Sequence, residues 1–200
     1  MELSASSLHL FETKGYLLLP EFLSISETAA IREELLRVKE SHALVAAGIG
    51  KKEGFQVDAS QRGDSIRWID QHTLAPATAV YFERMDALIS QLNRTFYLGI
   101  RDRECHYTEY PVGSFYKRHV DRHRGESPRV VSMVFYLNEQ WEEHHGGELM
   151  LYHNDGSITR IFPTAGTLAV FLSEKEHEVL PTGRLRQSIT GWMLNELRLI

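Results

Sequence analysis

The distribution of apolar and polar positions divides the chain near residue 100. Before that point, two long segments carry apolar residues at helical intervals. In residues 23–45, LSISETAAIREELLRVKESHALV, Ile31, Leu35 and Val38 recur with Arg and Glu between them, which predicts an amphipathic helix. Ser24 and Glu27 stand in capping-box spacing and mark its N-terminus. Residues 77–99, ATAVYFERMDALISQLNRTFYLG, repeat the pattern through Val80, Met85, Leu88, Ile89, Leu92 and Phe96, with Gly99 as the predicted stop. The two helices are expected to cover one side of a sheet. Between them, the glycines and charges of residues 48–70 predict a mobile excursion that ends in a short strand at SIRWID.

From about residue 103 the texture changes to short runs rich in β-branched and aromatic residues. ECHYTEY, SFYKRHV, RVVSMVFYLN, GELMLYH, SITRIF, TLAVFLS, HEVLP and SITGWML follow one another, separated by Pro, Gly, Asn and Asp turn chemistry. Eight such runs predict an antiparallel sandwich or barrel, of which the jelly roll is one kind. No Pro/Gly/Ser linker separates the halves, so residues 1–200 are expected to form one domain. Its first hundred residues would support a catalytic or binding core at 101–200.

Composition narrows the function classes. A net charge of −5 offers no electrostatic case for nucleic acid or an anionic membrane as partner. No apolar run approaches membrane-spanning length. The start, MELSASSLHLFETKG, has no apolar run and so predicts no secretory signal. Cys105 is the only cysteine, which leaves no intrachain disulfide or multi-thiolate zinc site and fits a reducing cytoplasm.

Candidate chemistry begins at residues 115–123, FYKRHVDRH. Taken alone, His119 and Asp121 read as two polar residues on a wet strand face. On a strand, however, residues i and i+2 share a face, so both side chains can reach one metal ion. An imidazole and a carboxylate are two legs of the 2-His-1-carboxylate facial triad, which leaves three positions open on a non-haem Fe(II). The third leg must come from His106, His123, His144, His145, His153 or His177. His144 and His145 lie in a polar loop, His123 in a charged connection, and His153 before a turn. His106 sits in a predicted strand, and His177 opens HEVLP directly after the most apolar strand, which makes it the best placed. Nine residues on, Arg186, Ser188, Thr190 and Trp192 share one strand face. A guanidinium on that inward face needs a partner. It is either an anion that enters with a substrate, held bidentately, or a structural Asp or Glu. Arg184 competes for the role from a turn.

These segments together, RHVDRH, RVVSMVFYLNEQW, GGELMLY, PTAGTLAVF, HEVLP and RLRQSITGW, resemble in order and spacing the Fe(II)- and 2-oxoglutarate-dependent dioxygenases. The similarity is greatest to the prolyl 4-hydroxylases, in the branch of the hypoxia-inducible-factor prolyl hydroxylases and their bacterial relatives, and covers residues 63–192. The resemblance implies an α+β, mainly β fold: a double-stranded β-helix (jelly roll) with N-terminal helices packed on one sheet. It implies His119, Asp121 and His177 as iron ligands and Arg186 as partner of the distal carboxylate of 2-oxoglutarate. Tyr110, Tyr136, Thr190 and Trp192 match cosubstrate-pocket residues, although Tyr136 and Trp192 would serve equally as core packing. The loop YPVGSFY is one residue shorter than in the animal enzymes, which bears on the placement of Tyr110. RGDSIRWID matches the start of a finger segment, at about residues 56–70, that closes over an extended substrate. Asp64 and Arg129 match a charged pair that ties this finger to the barrel, with a solvated surface pair as the alternative. The implied cofactors are Fe(II), 2-oxoglutarate, O2 and ascorbate. The implied reaction is trans-4-hydroxylation of a proline in a protein or peptide, with succinate and CO2 as coproducts. Elongation factor Tu is a client suggested by the bacterial branch alone. An aspartate at 121, where a halogenase would carry a small residue, favours hydroxylation. The alternatives are a hydroxylase of a free amino acid or other small molecule, and a non-catalytic metal-binding jelly roll.

Overall fold

The computed structural model of the protein describes residues 2–48, 57–122 and 127–197. Much of the expected excursion is therefore seen, while residues 49–56 and His123 lie outside the described residues. The chain opens with a helix the apolar pattern did not predict, α1 (Ala5–Lys14), capped by the Ser4 hydroxyl and closed by left-handed Gly15 at φ 68°. It buries only Phe11, so it has no apolar stripe to read. Strand β1 (Tyr16–Leu19) follows. Helix α2 (Ile25–Glu40) starts at the predicted capping box, with both the Ser24 and the Glu27 bonds made.

Helix α3 (Pro76–Phe96) begins after Ala75, which cannot cap it. Glu34 of α2 does so from a distance, accepting from Ala77 N at 2.8 Å and Thr78 N at 3.0 Å. The helix ends two residues before the expected Gly99. Tyr97 takes the left-handed conformation at φ 55°, and Asn93 brackets Ile100 through both its N–H and C=O. That side-chain bracket substitutes for a glycine stop.

The remaining strands are β2 (Val45–Ala46), β3 (Ser65–Trp68), β4 (Asp102–Tyr110), β5 (Tyr116–His119), β6 (Arg129–Tyr136), β7 (Leu149–Tyr152), β8 (Ile158–Ile161), β9 (Leu168–Leu172), β10 (His177–Val179) and β11 (Arg186–Leu194). All eight strands expected after residue 103 form. They build a seven-stranded antiparallel sheet, β1-β9-β6-β11-β4-β3-β2, facing a four-stranded one, β5-β10-β7-β8. This is the jelly-roll sandwich. Strands from the first hundred residues complete both edges of the larger sheet, so the supporting half is woven into the core half.

Period-two alternation sorts the residues of the larger sheet. On β6 and β11, Val131, Met133, Phe135, Ile189 and Met193 pack beneath Ile31, Leu35, Tyr81, Met85 and Leu88 of the helices. The opposite face of β6 contributes Val134 and Tyr136 to a second cluster between the sheets, with Leu149, Leu151, Ala169, Phe171 and Val179. Truncating a fully buried residue such as Phe135 to Ala costs about 3–5 kcal/mol. Helices thus close one face of the large sheet, and the other face is left to line a cavity.

Candidate active site

The short strands β5 and β10 pair antiparallel with His119 directly opposite His177. β5 stops at His119, so Asp121 lies just beyond the strand that the sequence extended through it. Its position is set by the N–H groups of Asp121 and Arg122, which both donate to Ser173 O at 3.0 Å. One ligand atom from each of His119, Asp121 and His177 falls within 4.8 Å of the others. Asp121 Oδ1 is 3.6 Å from His119 Nε2, and Oδ2 is 3.5 Å from His177 Nε2.

The tautomers follow from the backbone. His119 Nδ1 lies 2.7 Å from Lys117 O and His177 Nδ1 lies 2.9 Å from Lys175 O. A carbonyl only accepts, so each Nδ1 carries the proton and each Nε2 presents a lone pair. Ser132 Oγ donates to Asp121 Oδ2 at 2.6 Å and bonds Ser173 Oγ at 2.9 Å, which fixes the carboxylate. Burial opposes ionisation of Asp121, but His177, His119 and the Ser132 hydroxyl outweigh it and hold its pKa far below the usual carboxylate range. Burial pushes His177 down to about 4, against the pull of Asp121. The result at neutral pH is a carboxylate with lone pairs converging from outside it, a donor set suited to a divalent cation with open positions.

The three side chains border a cavity of about 720 Å³ between the sheets. Arg186, only 1% exposed, lines it too. Its Nε donates to Gly147 O at 2.9 Å, and its guanidinium lies 5.0 Å from the Tyr110 ring centre and 5.2 Å from that of Tyr136. Gly147 is required: its φ is +71°, and a Cβ would lie 3.0 Å from Thr182 Oγ1 and 3.3 Å from Arg186 Cδ. Among the described residues no carboxylate pairs with Arg186, which removes the structural salt bridge as its explanation. Arg186 Nη2, Tyr136 Oη and Trp192 Nε1 are all sealed from solvent without a partner. A buried cation with an open phenol beside it costs several kcal/mol unless an anion completes the pair. Burial pushes the Tyr136 phenol up to about 12 and that of Tyr110 higher still, so both remain donors. Thr190 and Trp192 line the cavity on the same strand face as Arg186. Tyr136 also belongs to the inter-sheet core, so its packing role and its place beside Arg186 coexist.

The other histidines separate cleanly. His106 lines the cavity wall, with Nδ1 2.8 Å from Thr108 Oγ1 and its ring edge-on to Trp68, but stands outside the triad. Burial lowers its pKa to about 4, so it is a neutral wall residue. His145 accepts from Glu142 N, His144 is exposed, and His153 meets Thr159. Arg184 turns away to the carbonyls of Glu139 and Gln140. The expected Asp64–Arg129 tie is replaced. Asp64 is forked by Arg62 at 2.7 and 2.6 Å, and Arg129 pairs with Glu104 at 2.7 Å while covering the Trp192 ring. Neither is a solvated surface pair: Arg62 supplies the nearer cation, two residues away in the segment leading into β3. Ser132, Gly147, Arg62 and Tyr116 were not singled out by the sequence. The first two act through partners remote in the chain, and only the RGD spacing of Arg62 and Asp64 hints at the third.

Comparison with known proteins places this geometry. Residues 105–194 match the family model described as the 2OG-Fe(II) oxygenase superfamily. Human prolyl hydroxylase EGLN3 is 31% identical over 175 residues, covering 79% of this chain and 70% of that protein. A crystal structure of a Pseudomonas putida prolyl-4-hydroxylase superposes with a TM-score of 0.86 at 39% identity, covering 96% of this chain and 99% of that one. A prolyl hydroxylase from Trichoplax adhaerens, in complex with a hypoxia-inducible-factor oxygen degradation domain peptide, gives 0.86 at 28% identity, covering 94% and 87%.

Proposed function

Since the chain belongs to the prolyl hydroxylase family of the 2-oxoglutarate- and Fe(II)-dependent oxygenases, we propose that it trans-4-hydroxylates a prolyl residue in a protein or peptide, converting 2-oxoglutarate to succinate and CO2. One observation carries the reading. Two neutral imidazoles and a carboxylate converge at one place in a cavity that also holds a buried arginine with no carboxylate partner among the described residues. The first arrangement wants a cation and the second an anion, and a dicarboxylate that also chelates the metal satisfies both.

His119, Asp121 and His177 hold Fe(II) through Nε2, a carboxylate oxygen and Nε2. Bound together, Fe(II) and 2-oxoglutarate supply the activation of O2 that C–H hydroxylation requires. Arg186 anchors the distal carboxylate of 2-oxoglutarate, with the Tyr136 hydroxyl as a second donor, and Tyr110, Thr190 and Trp192 shape the rest of its pocket. With its pKa held far below the usual carboxylate range, Asp121 would present a carboxylate oxygen to the metal at neutral pH. Ile66 and Trp68 of β3, with Val45 and Ala46 of β2, border the same cavity and are placed to cover an extended substrate. Ascorbate would serve as the reductant that keeps iron held by these residues in the Fe(II) form. No described helix is long and apolar enough to cross a membrane, and soluble proteins are the substrate pool to search.

The test is to incubate the protein with Fe(II), ascorbate, 2-oxoglutarate and soluble cell proteins, then map peptides that gain one oxygen atom. The His119→Ala variant is the blank, and elongation factor Tu is the first client to examine. A single strong site on a proline is expected. Succinate formed only with small metabolites, and no modified protein, would overturn the protein substrate in favour of a small-molecule hydroxylase.

A further inference from the structure

The two histidines of the triad are held very differently. β10 is flanked on both sides, by β5 and by β7, and the His177 ring meets Phe171 edge-on at 4.7 Å. β5 is the edge of its sheet, and the His119 side chain is three times as exposed, 18% against 6%. What covers that edge is the segment leading into β3. Gly63 N donates to Phe115 O at 3.0 Å and Lys117 N donates to Gln61 O at 2.9 Å, so residues 61–63 lie against β5 as a short extra strand.

Arg62 is bridged to Tyr116 at the centre of this contact. Its fork grips Asp64, its Nη1 reaches Gly48 O at 3.3 Å, and its guanidinium lies 4.3 Å from the Tyr116 ring centre. The Tyr116 ring in turn stacks on His119, with centroids 3.6 Å apart and planes 16° from parallel. The Tyr116 ring therefore contacts both the Arg62 guanidinium and the His119 imidazole. Besides this stack, His119 has one hydrogen bond, from Nδ1 to Lys117 O, and a tilted contact with the His177 ring at 4.2 Å. The terminal torsion of an imidazole is soft, and one hydrogen bond leaves the ring free to rock about it. Metal ligands lose affinity when the groups that orient them are removed.

We infer that Arg62 is a positioning residue for His119, acting through the Tyr116 ring, and that it couples the β2–β3 hairpin at the cavity mouth to metal affinity. The inference rests on the metal-site reading above. Arg62 reaches Gly48 O, just beyond β2, and reaches the ligand through one aromatic ring, so this side chain links the hairpin base to the metal site alongside the backbone bonds of residues 61–63 to β5. By linkage, metal binding must then order the hairpin base as much as the hairpin base favours metal.

The probe is Mn(II), whose free-ion electron paramagnetic resonance signal gives Kd without turnover. Arg62→Ala alone would strand the buried Asp64, so the pair is removed together as Arg62→Met/Asp64→Leu. Its Kd is expected to rise about tenfold, the lower end of the usual loss for groups that orient ligands. Tyr116→Phe, which keeps the ring, retains the parent Kd, and Tyr116→Leu loses as much as the paired variant. Combining Tyr116→Leu with the paired variant adds nothing, because one relay has already been cut. Hydrogen exchange at Gly63 and Lys117 slows on Mn(II) addition in the parent and not in Tyr116→Leu. A paired variant within twofold of the parent, losses that multiply on combination, or equal slowing in Tyr116→Leu would each overturn the relay. If the paired variant does not fold, the contrast between Tyr116→Phe and Tyr116→Leu decides. The underlying reading fails separately, and visibly, if His119→Ala still binds Mn(II) as the parent does.

Discussion

The two ends of the cavity are opposite in chemical sense. At the His119, Asp121 and His177 end, every donor N–H is already spent on a backbone carbonyl, and what faces inward is lone pairs. At the Arg186 end, what is left open is a pair of donors, Arg186 Nη2 and the Tyr136 hydroxyl. The difference teaches how a ligand is oriented before any chemistry begins. A cation at the first end and a carboxylate at the second leave one direction for a molecule that must satisfy both. The ends also differ in how they are stabilised while empty. At the metal end the Ser132 hydroxyl donates to the Asp121 carboxylate, whereas the Arg186 end carries a buried charge with no carboxylate partner among the described residues.

Substitutions that remove one end at a time test this polarity. The largest effect is expected from Asp121→Ala, which leaves two neutral imidazoles and no charge to match a divalent ion. Mn(II) binding and succinate formation should both fall to the protein-free background, measured by equilibrium titration and by a succinate assay. Full activity in that variant would end the ligand assignment. Next is Arg186→Met, which should leave Mn(II) affinity intact and raise the KM for 2-oxoglutarate about a hundredfold, the loss typical of a buried charge-assisted pair. Because the ligand-free protein carries that charge without a counter-ion, the same change should leave its melting temperature unchanged or raised. A large fall in Tm would mean that Arg186 has a structural partner after all.

The comparison also shows which parts of the site a sequence can reveal. The face shared by Arg186, Thr190 and Trp192 is a local consequence of a two-residue period, whereas His119 and Asp121 converge although the strand stops at His119, because Ser173 O sets the turn that follows. The α2 start is equally local, since a capping box lies within four residues. What was hidden is long-range choice of partner. Glu34 caps α3 from 43 residues away, a distance at which no periodicity operates. Arg129 and Asp64 both sit where charge was expected, yet each takes a different partner from the one expected, because Glu104 and Arg62 lie closer. Helix α1 was missed for the opposite reason: it buries only Phe11, and Leu8 and Leu10 stay partly exposed, so it has almost no pattern to detect.

A third, smaller effect sharpens the anion end. Tyr136→Phe deletes one neutral donor from beside Arg186 while keeping the ring in the inter-sheet core. A hydrogen bond to a charged group is worth about 1.5–3 kcal/mol, so the KM for 2-oxoglutarate should rise about tenfold or somewhat more. Mn(II) affinity and thermal stability should not move. An unchanged KM would assign the unpartnered hydroxyl to something other than the cosubstrate.

The smallest expected effect on the site's chemistry comes from His106, which stands on the wall between the two ends and belongs to neither. His106→Leu should leave the Mn(II) Kd within about twofold of the parent, as expected for a side chain that touches neither a ligand nor the metal. Its trace should appear instead in the acid stability of the ligand-free protein. Burial, reinforced by Arg62 and Arg129 and opposed by Asp64 and the Tyr107 carbonyl, lowers the His106 pKa from 6.5 to about 4. Between those values the unfolded chain binds a proton that the folded one refuses, so stability rises with pH there and falls as the solution is acidified from 6.5 towards 4. Each such histidine contributes a slope of about 1.4 kcal/mol per pH unit in that window. Urea unfolding at pH 4.5, 5.5 and 6.5 should therefore show a shallower slope in His106→Leu, by up to one histidine's share, with the part due to His177 remaining. An unchanged slope would place the His106 ring in contact with water, and a lost Mn(II) site would make it a ligand.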